Sequence, residues 1–190
     1  ERTEILMGLK ACVLVTDGQE RSALAITRSL GQAGIRVVVG AQTSKSLAGA
    51  SKHCYRTWQY PSPLAAPSQF VSSLADAIGQ LGVTAIMPVT DSTMQVLAAR
   101  REQFPPAILR AVPPLESYEL VSDKYRLMAL AQKLEVPIPT TVFVPNGDIV
   151  SVLDQVPSFP VVVKPGRSLL KDDSGWGKTS VHFVSHVEEL

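Results

Sequence analysis

The sequence contains too little cysteine for a disulfide scaffold or a zinc site built from thiolates. Cys12 and Cys54 are the only two in 190 residues, and they form no cluster with metal-ligand spacing. Cys12 lies in a run typical of a buried strand, whereas Cys54 lies in a predicted loop. This sparse use of thiols favours a reducing, cytoplasmic compartment.

An excess of one charge and long apolar runs are missing as well. The 18 Lys and Arg residues nearly balance the 17 Asp and Glu residues, so the sequence indicates no nucleic-acid partner. Charged or turn residues interrupt every apolar run before it could cross a bilayer, which indicates no membrane partner. Glu1–Glu4 show no secretory signal, and the 45% of hydrophobic residues is typical of a globular protein.

The first half of the chain alternates short apolar runs with helical patterns. Apolar residues at helical spacing predict two helices that end at Gly34 and Gly82. The β-α-β order requires parallel pairing with right-handed crossovers, so we expect an α/β, Rossmann-like fold: an open parallel sheet with helices on both faces. Four runs predict its strands: 11–16, 35–40, 55–60 and 84–90.

Ligands of such sheets bind beyond the carboxyl ends of the strands, where this chain has Asp17, Gly18 and Asp91. A dinucleotide site would need several glycines after the first strand so that a pyrophosphate can approach the helix N-terminus. This turn has only Gly18, together with two carboxylates that would repel phosphate. A dinucleotide-dependent oxidoreductase is therefore disfavoured, although Ser44 and Lys45 after the second strand leave NADP open.

Prolines between 105 and 114 predict a boundary that divides the chain into domains 10–114 and 115–190. In the second domain we expect Ser122 to cap a helix that ends before Val136-Pro137. The Ser-x-x-Glu spacing of Ser185 and Glu188 predicts a helix start close to Leu190, so we expect this domain to be incomplete. Its other predicted elements are strands at 140–144, 159–164 and 179–184 and a short helix at 148–156.

Lys164 ends an apolar strand, where an ammonium group is costly to bury unless it meets an anion. A flexible ammonium suits phosphate, and the polar loop 166–178 could add backbone amides and further cations. The alternative is a hairpin whose edge lysine points to solvent, and Lys164 alone does not decide between them. The loop contains Arg167, Lys171, Gly175, Gly177 and Lys178.

Lys124 falls in the first turn of the helix that opens with Ser122-Asp123. The helix dipole disfavours cations at this end, so a surface role gains nothing from the position. An anion bound at the same N-terminus would account for the lysine. The alternative is a solvated surface side chain.

In their order and spacing these segments resemble the ATP-grasp superfamily of ligases. The resemblance rests on Ser122–Lys124 at a helix start, Val136–Pro139 at its end and Phe159–Pro165 before a loop and a strand. The preceding α/β unit resembles a pre-ATP-grasp domain of the carbamoyl-phosphate-synthase-like type, through Ser51–Cys54 and Met87–Asp91. Together these segments extend over about residues 11 to 190.

The resemblance implies a ligase that uses ATP to activate a carboxylate as an acyl phosphate, which an amine or similar nucleophile then attacks. Lys124 and Lys164 would hold the nucleotide phosphates, and the loop after Lys164 would close over them. In that loop the implied nucleotide-binding residues are Lys171, Gly175, Gly177 and Lys178. The implied ligands are ATP, Mg²⁺ bound by residues downstream of this chain, and small-molecule carboxylate and amine substrates. A homodimer is compatible with the resemblance.

Four residues at the carboxyl edge of the predicted sheet are candidates for contact with the acceptor substrate, with turn or capping roles as the alternative: Asp17, Gly18, Arg21 and Asp91. The chain also departs from the family, because Glu135 stands where a glycine is usual and the loop after Lys164 is poorer in glycine. We expect the fragment alone to be inactive. A non-catalytic α/β ligand-binding module is a further interpretation.

Overall fold

The computed structural model describes residues 11–109, 111–144, 147–172 and 175–190. The chain divides into two compact units, the first ending at Leu115 and the second beginning at Glu116. The first unit contains, in chain order, β1 (Cys12–Val15), α1 (Arg21–Gln32), β2 (Arg36–Ala41), β3 (Arg56–Gln59), α2 (Pro67–Leu81), β4 (Ala85–Met87) and α3 (Asp91–Ala99).

The four strands of the first unit form one parallel sheet in the order β3-β2-β1-β4. β1 lies in the centre, with Leu14 paired to Val38 of β2 on one side and to Ile86 of β4 on the other. The open parallel sheet expected from the β-α-β order is confirmed. The helices end where predicted, with Gly34 and Gly82 in the left-handed region at φ 77° and 64°.

Side chains alternate between the two faces of this sheet, and each face packs against a different helix. On one face Val15, Val37 and Val39 form a buried cluster with Ala23 of α1. On the other face, a β-carbon at Gly40 would point towards Leu14 and Tyr60.

The ring of Tyr60 meets the ring of Phe70 in α2 edge to face, with 4.9 Å between their centroids. Both side chains are almost fully buried. α2 therefore covers the face opposite α1, and the prediction of helices on both faces is confirmed.

The second unit has shorter elements and fewer buried side chains. β5 pairs with β8 and β6 pairs with β7, both antiparallel. Its elements are α4 (Leu115–Ser122), which begins one residue before the unit, α5 (Lys124–Lys133), a 3-10 helix (Val150–Gln155), β5 (Val161–Val163), β6 (Leu169–Asp172), β7 (Gly175–Lys178), β8 (His182–Val184) and a 3-10 turn (Val187–Glu189).

Several predictions for the second unit were wrong. Ser122 does not cap a helix but ends α4, a helix absent from the sequence prediction, and Asp123 is the cap residue of α5. The described residues 140–144 form no strand, because a strand needs a hydrogen-bonded partner and they pair with none. The predicted helix at 148–156 is the 3-10 helix.

The strand expected at 159–164 is shorter and less buried than predicted. Among the described residues β5 pairs with β8 alone, and Val162 is 45% exposed beside Phe183, which is 80% exposed. Near the end of the chain, Glu189 rather than Glu188 reaches back, and its carboxylate accepts the backbone N–H of Ser185 at 2.6 Å. Instead of the predicted start of an α-helix, this segment forms a 3-10 turn.

The residue that departs from the family pattern, Glu135, lies in the left-handed region with φ 57°. It follows α5, where its N–H donates to Gln132 and the N–H of Val136 donates to Ala131. These two bonds form the C-terminal motif in which glycine is the usual left-handed residue. Glycine is usual at this position because the backbone there is left-handed. Glu135 adopts the same conformation only with strain.

We expect Glu135→Gly to stabilise the second unit by about 1 kcal/mol, because glycine adopts the left-handed conformation without strain. The measurement is the unfolding free energy of the second unit, obtained by urea titration. Gln132→Gly is the matched control, since it places a glycine inside the same helix and should cost about 1 kcal/mol. Destabilisation by both changes would contradict the strain at Glu135.

Candidate functional site

The structure brings together the two segments that carry the predicted phosphate-binding lysines. The backbone N–H of Lys124, the first residue of α5, donates to the carbonyl of Gly166 at 2.8 Å. Gly166 comes two residues after Lys164, which follows β5 directly. Lys164 is exposed and Lys124 is half-buried, so solvent reaches both side chains.

Asp123 caps α5 with its side chain. Its Oδ1 accepts the backbone N–H groups of Tyr125 at 3.0 Å and Arg126 at 3.2 Å, while its Oδ2 accepts Arg167 Nε at 3.2 Å. A carboxylate of the chain itself thus provides the anion at this N-terminus. That removes the sequence-based reason for expecting a bound anion there, and Lys124 stays a predicted ligand through its nearness to the Lys164 segment.

The pKa of the Asp123 carboxyl is lowered from its ordinary value of 3.8. Burial raises this pKa, but the N–H of Arg126, the Arg167 guanidinium and the N–H of Tyr125 together lower it by more. The lowered pKa means that the carboxylate stabilises the folded state at neutral pH. This contribution is lost only as the pH falls below 3.8 and through the folded-state pKa.

The segment predicted as a polar loop after Lys164 is a β-hairpin. Its strands pair Leu169 with Lys178 and Lys171 with Trp176. Thr179 closes the base, since its N–H donates to Ser168 O at 3.1 Å and its hydroxyl donates to Arg167 O at 2.7 Å.

The predicted nucleotide-binding residues of this segment lie on the two hairpin strands. Lys171 is in β6, and Gly175, Gly177 and Lys178 are in β7. The side chains of Lys171 and Lys178 lie outside the part of the chain that the structure describes. A hairpin has paired backbone groups, so it offers fewer amides to a phosphate than the predicted open loop.

In the first unit, Asp17 organises the carboxyl end of β1. It has φ 58°, and its Oδ2 accepts the hydroxyls of Thr16 and Thr93, each at 2.6 Å. The same oxygen accepts the backbone N–H of Thr90 at 3.0 Å and that of Val89 at 3.3 Å. Asp17 therefore ties β1 to the segment between β4 and α3.

Tyr60 completes this polar cluster from the other side. Its hydroxyl oxygen accepts the backbone N–H of Asp17 at 2.7 Å. Burial raises the pKa of the Tyr60 phenol, and the charge of the Asp17 carboxylate raises it further. The phenol therefore stays protonated and neutral.

Sequence reasoning missed the roles of Thr16, Tyr60 and Thr93. The only available signal was polar residues at strand and helix ends, which is common in any α/β protein. The partners of Asp17 lie up to 76 positions away in the chain.

Of the other three predicted substrate-binding residues, one is buried and two are exposed. Gly18 is buried, with its N–H on Gly40 O at 2.9 Å and its carbonyl accepting from Ala48 at 2.8 Å. Arg21 and Asp91 are exposed and begin α1 and α3 at the carboxyl edge of the sheet.

The turn after β1 is poorly suited to a pyrophosphate. The N–H groups of Gly18 and Glu20 are bonded to Gly40 O and Asp17 O. A β-carbon on Gly18 would lie 2.6 Å from Ser46 Oγ, so this glycine serves close packing. The geometry gives the dinucleotide interpretation no support in this turn.

A cavity of about 220 Å³ lies at the carboxyl ends of β2 and β3. Ser44, one of the two residues that kept an NADP site possible, is part of its wall. None of the described wall residues carries a charge that could hold a phosphate. Its lining consists of Val39, Ala41, Thr43, Ser44, Ser46, Thr57, Trp58 and Gln59.

Among the residues that the structure describes, no group of three or more His, Cys, Asp and Glu side chains could hold a metal ion. Within the same residues, no helix combines the length and hydrophobicity needed to cross a membrane.

Comparison with known proteins identifies the fold. No family model matches the sequence, and no curated protein matches it. Among solved structures, the chain is similar to N5-carboxyaminoimidazole ribonucleotide synthetase from Thermotoga maritima, with a TM-score of 0.59 and 17% identity over 95% of this chain and 42% of that one.

Two further structures show the same likeness. L-amino acid ligase from Bacillus licheniformis has a TM-score of 0.57 and 14% identity over 94% of this chain and 40% of that one. The biotin carboxylase domain of Hydrogenobacter thermophilus 2-oxoglutarate carboxylase, in complex with MgADP, ADP and bicarbonate, has a TM-score of 0.55 and 18% identity, over 94% and 38%.

These proteins are ATP-grasp ligases, and the resemblance seen in the sequence is confirmed at the level of the fold. The chain spans about two fifths of the length of each of the three.

Proposed function

We propose that this chain contributes the residues that bind the nucleotide phosphates in an ATP-dependent ligase. The ligase would activate a small-molecule carboxylate for attack by an amine or similar nucleophile. The observation that carries the proposal is the hydrogen bond from Lys124 N–H to Gly166 O. It joins the segments of Lys124 and Lys164, the two residues that match the ATP-grasp pattern. The likeness in fold to three such ligases supports the same conclusion.

The charges of the two lysines support a nucleoside triphosphate as the ligand. Lys164 and Lys124 provide two ammonium groups on segments that a backbone hydrogen bond joins, and ammonium groups bind phosphate as point charges. Asp123 occupies the N–H groups at the start of α5, so the lysine side chains, rather than the helix N-terminus, would bind the phosphates. ATP with Mg²⁺ would supply the activating phosphate.

The β6–β7 hairpin would serve as the cover over the phosphates. It contains Lys171 and Lys178 and begins at Leu169, five residues after Lys164. A cover of this kind would exclude water from an activated carboxylate, which is the chemical need of an acyl phosphate route. Its Lys171, Gly175, Gly177 and Lys178 are the residues we propose to approach the nucleotide.

For the acceptor substrate we propose the carboxyl edge of the first sheet. Arg21 and Asp91 are exposed there, so they are the proposed contacts with substrate. Asp17 and Gly18 are proposed to shape the edge rather than to touch the ligand directly, because their polar groups are bonded within the unit. We further propose a cytoplasmic protein, with a homodimer as the assembly to test.

The test is titration of the chain with ATP and Mg²⁺. Lys124→Ala and Lys164→Ala should each weaken ATP binding by about 10- to 100-fold, the effect of losing one charged hydrogen bond. Lys133→Ala, at the far end of α5, is the matched control and should leave the Kd unchanged. The proposal would be contradicted if Lys124→Ala and Lys164→Ala bound ATP as tightly as the Lys133→Ala control, or if the chain bound NAD(P)H in place of ATP.

A further inference from the structure

Four interactions hold the base of the β6–β7 hairpin and the segment before it in place. Two of them reach the start of α5: the bond from Lys124 N–H to Gly166 O and the ion pair of Arg167 with Asp123. The other two come from Thr179, whose hydroxyl and N–H bond the carbonyls of Arg167 and Ser168. Arg167 takes part through both its side chain and its main chain.

We propose that Asp123 and Arg167 are positioning residues whose ion pair holds the base of the hairpin against α5, and so sets the placement of Lys124 and Lys164 for a nucleoside triphosphate. This inference rests on the proposed function and extends it to two residues that need not contact the ligand. The pair spans 44 positions of the chain, so it fixes a relation that neither local element imposes.

Asp123 uses its two oxygens for different tasks, which separates positioning from helix stability. Oδ1 caps α5 through Tyr125 and Arg126, whereas Oδ2, within the part of the chain that the structure describes, accepts Arg167 Nε. Asparagine is as good a cap as aspartate, so Asp123→Asn keeps the helix start and removes the charge from the pair.

Stability alone does not explain the pair. The side chains of Arg167 and Asp123 are 35% and 20% exposed, and ion pairs this accessible add little to folding. Placement is more sensitive, because a charged group displaced by about 1 Å from a phosphate loses much of its benefit. A loosened hairpin base should therefore weaken nucleotide binding more than it lowers the unfolding free energy.

A direct contact of Arg167 with phosphate would give a different pattern. Arg167→Gln would then weaken ATP binding, while Asp123→Asn would leave it unchanged or strengthen it by removing a nearby negative charge. If the pair positions the hairpin, both single variants should weaken binding equally, and the double variant should add no further loss.

The experiment measures the Kd of ATP with Mg²⁺ for the full chain and for Asp123→Asn, Arg167→Gln and the double variant. Each is expected to raise the Kd about tenfold, a larger effect than the loss of this partly exposed ion pair should have on folding. Arg126→Gln is the matched control, since it removes an exposed cation from the same turn and should leave the Kd unchanged. Independent losses in the two single variants would overturn the proposal.

A second readout does not depend on ATP. Trp176 lies in β7, so in a Trp58→Phe background its fluorescence anisotropy reports motion of the hairpin. Asp123→Asn and Arg167→Gln should lower the anisotropy by similar amounts, whereas Lys164→Ala should not. Unchanged anisotropy in both variants would overturn the positioning role.

The two proposals fail in distinguishable ways. If Lys124→Ala and Lys164→Ala leave ATP binding intact, the proposed function fails whatever the pair does to the hairpin. If those two variants lose affinity while Asp123→Asn and Arg167→Gln do not, only the positioning role fails.

Discussion

Asp17→Ala is expected to lower the unfolding free energy of the first unit by about 3 kcal/mol, because it removes the shared acceptor of several buried donors. The hydroxyls of Thr16 and Thr93 are fully buried, and both donate to Asp17 Oδ2. Each keeps a second acceptor within reach: Thr93 Oγ1 for Thr16, and Thr90 O for Thr93. The loss should therefore be smaller than the sum over all donors.

The backbone adds to this cost. Asp17 has φ 58°, a conformation that aspartate and asparagine tolerate better than alanine. Asp17→Asn keeps the backbone fit and one carbonyl oxygen, but its amide nitrogen cannot accept a hydrogen bond. We expect Asn to cost about 1.5 kcal/mol, half the effect of Ala.

Urea unfolding followed by Trp58 fluorescence measures both variants. Trp58 lies in β3 with its indole N–H on Ser73 Oγ at 3.0 Å, and a Trp176→Phe background removes the only other tryptophan. Asp76→Asn, on the exposed side of α2, is the matched control and should change stability by less than about 0.5 kcal/mol. If Asp17→Asn leaves stability intact and weakens substrate binding, Asp17 acts on the ligand instead.

Gly40→Val is expected to destabilise the first unit by about 3 kcal/mol, although valine is favoured in strands. A β-carbon at Gly40 would lie 2.7 Å from Tyr60 Cε1 and 3.4 Å from Leu14 Cδ2. The Tyr60 ring cannot move freely, because it packs against Phe70 and its hydroxyl accepts Asp17 N–H. Gly40→Ala should cost less, about 1 to 2 kcal/mol.

The control is Gly79→Ala in α2, where nothing lies within 4 Å of the new β-carbon. There the change should stabilise by about 0.5 to 1 kcal/mol, because alanine is the better helix former. Equal effects at the two glycines in the same urea assay would contradict the close approach at Gly40. Higher stability after Gly79→Ala, together with lower stability after Gly40→Ala, would show that the Tyr60 ring limits the space for a side chain at Gly40.

The two units contribute differently to the proposed ligase. The first packs helices on both faces of a central sheet and leaves Arg21 and Asp91 exposed at its carboxyl edge. The second carries the lysines on short elements joined by a few polar contacts, Lys124 with Gly166 and Asp123 with Arg167. Affinity for ATP should therefore respond to changes in the second unit, whereas the largest losses of stability should follow from changes in the first.

The elements of the first unit could be predicted from the sequence because their signals are local. Apolar periodicity, helix stops at Gly34 and Gly82 and the β-α-β order depend on neighbouring residues and on general rules of chain connection. The placement of Lys124 at a helix start and of Lys164 after a strand was local as well. In the second unit, 140–144 failed as a strand because pairing, not propensity, makes a strand.

By itself the sequence determined the α/β class, the parallel sheet and the positions of two candidate lysines, since period and turn chemistry act over a few residues. Only the tertiary structure decided which groups meet: Asp17 with Thr93, and Asp123 with Arg167, far apart in the chain. It also showed that the loop after Lys164 is a hairpin and that Glu135 is left-handed. Hydrogen bonds and ion pairs depend on distance in space, which local patterns do not specify.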